Sequence, residues 1–257
     1  CRRSSTVWNL TPLRPLRLKV LRVPSALFTV FTMSDQRNHI LGCACDLYLE
    51  DGLEGFSMRK LARQVGVTAP ALYRYYEGRE EVVLDVVREA YREFSSFLYQ
   101  ALEGRSPEER MRRAGEGSLQ FALQHPRWYH MVFLLPEQLG IEAFPEDIED
   151  QGAAVHQFWV DRLRECMDTG LLKEDDPDEV AMTLWAHSHG LISLYQNGHL
   201  GVDEEGFRDI LAASSTRMWC GMATDSFARQ MREQCAGEMT DVESKPADEP
   251  ELEHGVA

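Results

Sequence analysis

The chain has 257 residues, enough for one large or two modest domains, and is 44% hydrophobic and 27% charged. That balance excludes a fibrous or wholly disordered chain, and no apolar run reaches the roughly 18 residues of a membrane helix. A formal net charge of −15 excludes an indiscriminate nucleic-acid coat, because an acidic surface repels phosphate. Six cysteines (Cys1, Cys43, Cys45, Cys166, Cys220, Cys235) form neither a CxxC pair nor a disulfide spacing, so they read as reduced thiols of a cytoplasmic protein.

Residues 1–32 carry six basic residues and no acid, and Pro12, Pro15 and Pro24 interrupt any helix. Three readings fit: a transit-like peptide, a basic arm adding phosphate contacts, or a segment upstream of a true start at Met33. The third is favoured, and the stretch is expected to be disordered. Asp35 to Asp51 then predicts a helix with Ile40, Ala44, Leu47 and Tyr48 inward and Gly52 at its end. Cys43 and Cys45 lie two apart on that helix and face different sides, which argues against shared metal ligation.

Phe56 to Glu81 reads as two short helices around a tight turn. Ser57 is placed to cap the first, on which Met58, Leu61, Ala62 and Val65 recur at helical spacing. Gly66 supplies the turn, Thr68 is the next cap, and Pro70 sits just inside the second helix. Leu72 and Tyr76 share a face, and Gly78 closes the unit. Between Ser57 and Arg79 stand Arg59, Lys60, Arg63, Arg74 and Arg79 against the single acid Glu77. A positive island on an acidic chain is a focused anion-binding surface, and two short helices at a steep angle suit a DNA major groove.

The run Phe-Ser-Met-Arg-Lys-Leu-Ala, then Val65-Gly66-Val67-Thr68, Leu72-Tyr73, Tyr75-Tyr76 and Arg79-Glu80, resembles the DNA-binding segment of the TetR family of transcriptional regulators. The resemblance covers about Ile40 to Val87. It implies an all-α fold: an N-terminal three-helix helix-turn-helix domain, and a C-terminal helical domain for effector binding and dimerisation. It also implies a homodimer on a palindromic operator in double-stranded DNA. Carried over by position, Ser57, Met58 and Arg59, with Lys60 beside them, open the helix that meets the backbone. Thr68, Ala69, Pro70, Ala71, Tyr73, Arg74 and Tyr75 line the reading helix, and Arg79 reaches a phosphate. Ala69 and Ala71 cannot hydrogen-bond a base edge, so direct reading falls to Thr68, Tyr73, Arg74 and Tyr75, plus apolar contact with thymine methyls.

The remaining chain reads as helices. Glu80 to Glu103 is amphipathic, with Val83, Val87, Ala90, Phe94, Phe97 and Leu98 in register, and links head to body. Ser106 to Glu109 is a capping box before a helix that holds Gly115 and Gly117, which weaken it or permit close packing. His125-Pro126 breaks that helix, and an aromatic-rich short helix runs on towards Pro136. Glu137 to Pro145 is a loop. A helix over about Glu146 to Asp168 turns Val155, Trp159, Leu163 and Cys166 inward. Asp176 to Glu179 is a second capping box, before an apolar helix over Val180 to Asn197. Asp203 opens a last helix. Trp185, His189 and Gly190 are spaced as in a motif that resembles one group of TetR-family C-terminal domains. These two C-terminal helices are assigned to the dimer interface, against the alternative that they complete the monomer core. From Arg232 onward eight acids face two bases, which reads as a solvated, disordered tail.

The expected domains are therefore 1–32, a basic extension; 33–82, the head; 83–230, the body; and 231–257, the acidic tail. Phe121, Trp128, Tyr129, Phe133, Trp159, Trp185 and His189 are candidate walls of an effector pocket, weighed against plain core packing. His187 and His189, two apart on a helix, cannot chelate one ion, and no cofactor or metal is expected. GxSxG, Walker A, GxGxxG and HExxH motifs are absent, so no enzyme is expected. The function implied is a small-molecule-responsive repressor, with no membrane partner. The other classes weighed are a helical sensor or adaptor with a vestigial helix-turn-helix, and a helical enzyme carrying a DNA-binding head.

Overall fold

The structure is a computed structural model that describes residues 33–230. The expectations for 1–32 and 231–257 lie outside those residues. Among the described residues the chain is helical, and its one extended pairing is an isolated bridge between Leu172 and Ala223.

The first helix, α1 (Met33–Gly55), holds Ile40, Ala44, Leu47 and Tyr48 in its buried stripe, as the spacing predicts. Gly52 interrupts it at φ 71°, so the regular helix stops where expected and one irregular turn follows. Two short helices come next, α2 (Met58–Val65) and α3 (Ala69–Leu72). Then α4 (Arg79–Tyr99) runs on into a 3₁₀ turn over Gln100–Glu103. Its buried face is Val82, Val83, Val86, Val87, Ala90, Phe94 and Leu98, a stripe at helical spacing that makes α4 the central strut.

Around it stand α5 (Pro107–Gln124) and α6 (Pro126–Val132), which pack on α4 as α1 does. Ser106 caps α5 as read from the sequence, accepting from the Glu109 N–H at 3.1 Å. The return arm differs: the Glu109 carboxylate reaches one residue further back, to the Arg105 N–H at 2.8 Å. The two glycines of α5 separate. A Cβ on Gly117 would stand 2.8 Å from the Phe97 carbonyl oxygen, so this glycine lets α5 lie close to α4, whereas Gly115 faces open space.

The segment read as a loop after Pro136 contains a single helical turn, α7 (Pro136–Leu139), which Gln138 stabilises by accepting from the Leu135 N–H at 2.7 Å. Proline at a first helical position followed by Gln is the signal that could have shown it. The long helix α8 (Glu146–Asp168) buries Ile148, Phe158, Val160, Leu163 and Cys166. Val155 and Trp159, expected inward, are only half-buried, because the buried line runs one position over through Phe158. The chain ends in α9 (Pro177–Gln196), α10 (Glu204–Met222) and a further helical stretch over residues 225–230. The reading that made α10 the last helix is thus corrected. Thr224 starts the extra turn, its carbonyl accepting from the Ala228 N–H at 2.8 Å.

The chain divides into two compact units. In the larger, which among the described residues spans 33–166 and 176–187, the helices of the head share one unit with α4, α5 and α6. In the smaller, which among the described residues spans 167–175 and 188–230, the Thr224 hydroxyl donates to the Gly170 carbonyl at 2.8 Å. Ala223, Phe227 and Ala228 make its small core with Leu171, Trp219 and Cys220, and Tyr195 stacks on Phe207 with ring centroids 4.3 Å apart.

Candidate nucleic-acid interface

Local sequence rules build the head. Ser57 Oγ accepts from the Lys60 N–H at 3.3 Å, and Leu61 and Ala62 drive α2 into the core. Gly66, at φ 78°, turns the chain so that the Val67 N–H reaches the Ala62 carbonyl at 2.9 Å. Thr68 occupies the cap position of α3, but its hydroxyl makes no capping bond, which corrects the sequence reading. The Pro70 ring supplies the starting φ instead, and Leu72 anchors the turn with no exposed surface.

This arrangement sorts the candidate residues by exposure. Arg59, Lys60, Thr68, Pro70, Tyr73 and Arg74 face solvent, with Tyr73 54% exposed. Ser57, Met58, Ala69, Ala71 and Tyr75 are half-buried, and Tyr76 is buried beneath them. The five cations divide further. Lys60 Nζ is paired with Asp51 at 2.7 Å. Arg79 turns inward: its Nη2 donates to the Leu53 carbonyl at 2.8 Å and its Nε to the Phe56 carbonyl at 3.4 Å, with the guanidinium over the Phe56 ring. It therefore ties α4 to the frayed end of α1, and in this structure it is not displayed towards a ligand. Arg59, Arg63 and Arg74 are exposed.

The turn after α3 is held by Arg37, Asp85 and Glu81, which sequence reasoning did not single out, together with Tyr76. Arg37 Nη1 donates to the Tyr75 carbonyl at 3.1 Å, and the Tyr76 hydroxyl donates to Asp85 Oδ2 at 3.0 Å. The Glu77 N–H donates to Glu81 Oε2 at 2.6 Å. Burial, reinforced by the Asp85 carboxylate, pushes the Tyr76 phenol well up, so it remains a donor. A second joint links head and body within this unit. The Tyr48 hydroxyl donates to the Arg127 carbonyl at 2.9 Å, and Trp128 packs on the Tyr48 ring with centroids 6.1 Å apart.

The aromatic residues proposed for an effector site fall into separate groups. Phe121, Tyr129, Phe133 and Trp185 form one chain of ring contacts, with centroid spacings of 6.4, 4.7 and 6.0 Å. Phe94 and Phe97 extend it. Trp128 belongs to the joint with α1, and Trp159 meets Phe158 edge-on. His189 lies in the smaller unit, and burial lowers its pKa.

Comparison with known proteins decides the family. A family model described as bacterial regulatory proteins, tetR family, matches residues 40–86, and one described as a tetracyclin repressor-like C-terminal domain matches residues 111–218. This chain belongs to the TetR family. The TetR-family match over α1 to α4 covers the positive island and all its candidate contact residues. Among curated relatives, the HTH-type transcriptional repressor KstR2 of Mycolicibacterium smegmatis is 23% identical over 145 residues, spanning 55% of this chain and 70% of the relative. Among solved structures, a protein of unknown function from Rhodococcus sp. RHA1 aligns with a TM-score of 0.65 at 21% identity, over 74% of this chain and 96% of that one. AibR, solved in complex with isovaleryl coenzyme A and operator DNA, aligns with a TM-score of 0.54 at 17% identity, over 69% of this chain and 97% of AibR. At these identities the structural likenesses show a shared fold.

Proposed function

We propose that this TetR-family regulator is a homodimeric repressor that binds a palindromic operator through residues 33–82 and is released by a small-molecule effector held in residues 83–230. The observation that carries the reading is the display of Tyr73 and Arg74, with Thr68 and Pro70, on one exposed turn beside Arg59 and Arg63, in a chain of net charge −15. Such a surface attracts one phosphate track and repels contact elsewhere. In the contact set, Arg79 acts by bracing the head, while Ser57, Met58, Lys60, Ala69, Ala71 and Tyr75 border the exposed turn.

Two further features support the dimer and the effector. Leu194 on α9 and Ile210 on α10, both in the smaller unit, are large apolar side chains left exposed in the single chain, as expected of a surface that a second copy covers. Two heads on successive major grooves would then stand about 34–36 Å apart. The ring cluster of Phe121, Tyr129, Phe133 and Trp185 is the proposed wall of the effector site. AibR binds a coenzyme A thioester, and a ligand with an apolar acyl group suits such a wall. Among the described residues no helix is long and apolar enough to cross a membrane, and no group of three His, Cys, Asp or Glu could hold a metal ion.

The test is a fluorescence-anisotropy titration of the protein against the DNA upstream of its own coding region. Wild type should bind, and Tyr73→Ala and Arg59→Ala should each weaken binding at least ten-fold. Undiminished binding by both variants would end the proposal.

A further inference from the structure

A line of charged side chains crosses α4 from the turn after α3 to the first turn of α8. Its centre is Asp85, whose side chain is 14% exposed and whose two oxygens face different neighbours. Oδ2 takes the head: it accepts from the Tyr76 hydroxyl at 3.0 Å and from Arg37 Nη2 at 2.9 Å. Arg37 in turn holds the Tyr75 carbonyl and lies 4.4 Å from the Tyr76 ring centroid. Oδ1 takes Arg88, which donates Nη1 at 2.8 Å. Arg88 then grips Asp147 on α8 with both remaining nitrogens, Nε to Oδ2 at 2.5 Å and Nη2 to Oδ1 at 3.0 Å.

Paired, charge-assisted bonds of this kind fix direction as well as distance. Arg88 cannot follow Asp147 without drawing on the carboxylate that also holds Tyr76 and Arg37. The outer pair is exposed, Asp147 by 56%, so its loss should leave the fold standing. The inner contacts hold Tyr75 and Tyr76 directly, and Glu77 through Glu81, which accepts both from the Glu77 N–H at 2.6 Å and from Arg37 Nη2 at 2.9 Å; all three residues lie directly behind the exposed Tyr73 and Arg74.

We propose that Asp85 and Arg88 are positioning residues that couple the start of α8 to the turn carrying the reading surface. A shift of Asp147 is thereby felt at Tyr75 and Tyr76. This deepens the regulator reading, on which its biological use rests, but its test requires no DNA.

Hydrogen exchange of the full chain, followed by mass spectrometry, reads the coupling. Asp147→Asn should speed exchange of the Tyr75–Glu77 amides about two- to five-fold, the range open to an exposed ion pair, and leave α5 unchanged. Asp147→Glu, which keeps the charge, should restore the wild-type rate. Arg88→Gln should reproduce the effect, and Asp147→Asn should add nothing to it. Unchanged amides at 75–77 in Asp147→Asn, or additive effects of the two substitutions, would overturn the coupling. Operator binding by wild type is scored separately. Coupled exchange without binding would remove the regulator reading and leave the coupling intact.

Discussion

Tyr48 and Arg127 hold each other in both directions. The Tyr48 hydroxyl donates to the Arg127 carbonyl at 2.9 Å, and Arg127 Nη1 donates back to the Tyr48 carbonyl at 3.2 Å and also to the Leu49 carbonyl. Burial pushes the Tyr48 phenol up to about 12, so the donor persists through any ordinary assay pH. Tyr48→Phe removes one neutral hydrogen bond and should destabilise the chain by about 1 kcal/mol in urea unfolding. Arg127→Ala, which strips both carbonyls of their donor, should cost at least as much. A midpoint unmoved in both would mean that this joint contributes nothing.

The two glycines of α5 should respond to alanine with opposite signs. At Gly117 the added methyl would stand 2.8 Å from the Phe97 carbonyl oxygen, a backbone atom that cannot step aside. Forcing α4 and α5 apart should cost about 1–3 kcal/mol. At Gly115 nothing lies within 4 Å, so Gly115→Ala should gain about 0.5–1 kcal/mol from helix propensity. Thermal melts of the two variants decide the matter, and shifts of the same sign would contradict the packing described.

Cys45 and Cys166 are buried, and burial drives each thiol up to about 12. At pH 8 only about one in ten thousand of such thiols is ionised, too few for appreciable alkylation. Iodoacetamide mapping of the folded protein should leave both unlabelled, and urea should expose both. Rapid labelling of either without denaturant would show that α1 or α8 opens readily.

His187 has its Nε2 shut away from solvent without a hydrogen-bond partner, and burial lowers its pKa. The unfolded chain binds that proton near 6.5 while the folded chain resists it. Stability is therefore unaffected above about 6.5 and falls as the pH drops from there towards the depressed folded value. His187→Gln should flatten the fall in Tm below about pH 6.5. Parallel Tm curves for the two proteins would exclude this contribution.

The head was legible because its determinants are local. Ser57, Gly66 and Pro70 each act within four residues, and the periodicity of Leu61, Ala62, Leu72 and Tyr76 needs no distant partner to be recognised. The tethers were not legible. Arg37 and Asp85 stand 48 residues apart and Tyr48 and Arg127 79, and nothing in helical spacing says which surface charge meets which. The aromatic cluster shows the same limit. The sequence reading offers Trp128 and Phe121 as walls of one pocket or as plain core, but only the crossing of α1 and α6 sends Trp128 to Tyr48 while Phe121 joins Tyr129. Thr68 was misjudged because a cap position and a capping bond are separate facts, and Pro70 had already set the backbone.

The inward turn of Arg79 has a thermodynamic consequence for any duplex the head meets. With that guanidinium bound to the Leu53 and Phe56 carbonyls and Lys60 tied to Asp51, three of the five basic residues remain to displace condensed counterions. The logarithm of affinity should then fall with the logarithm of salt at a slope near −2.7 per head, about 0.9 for each neutralised phosphate, rather than the −4.5 or so implied by counting arginines and lysines.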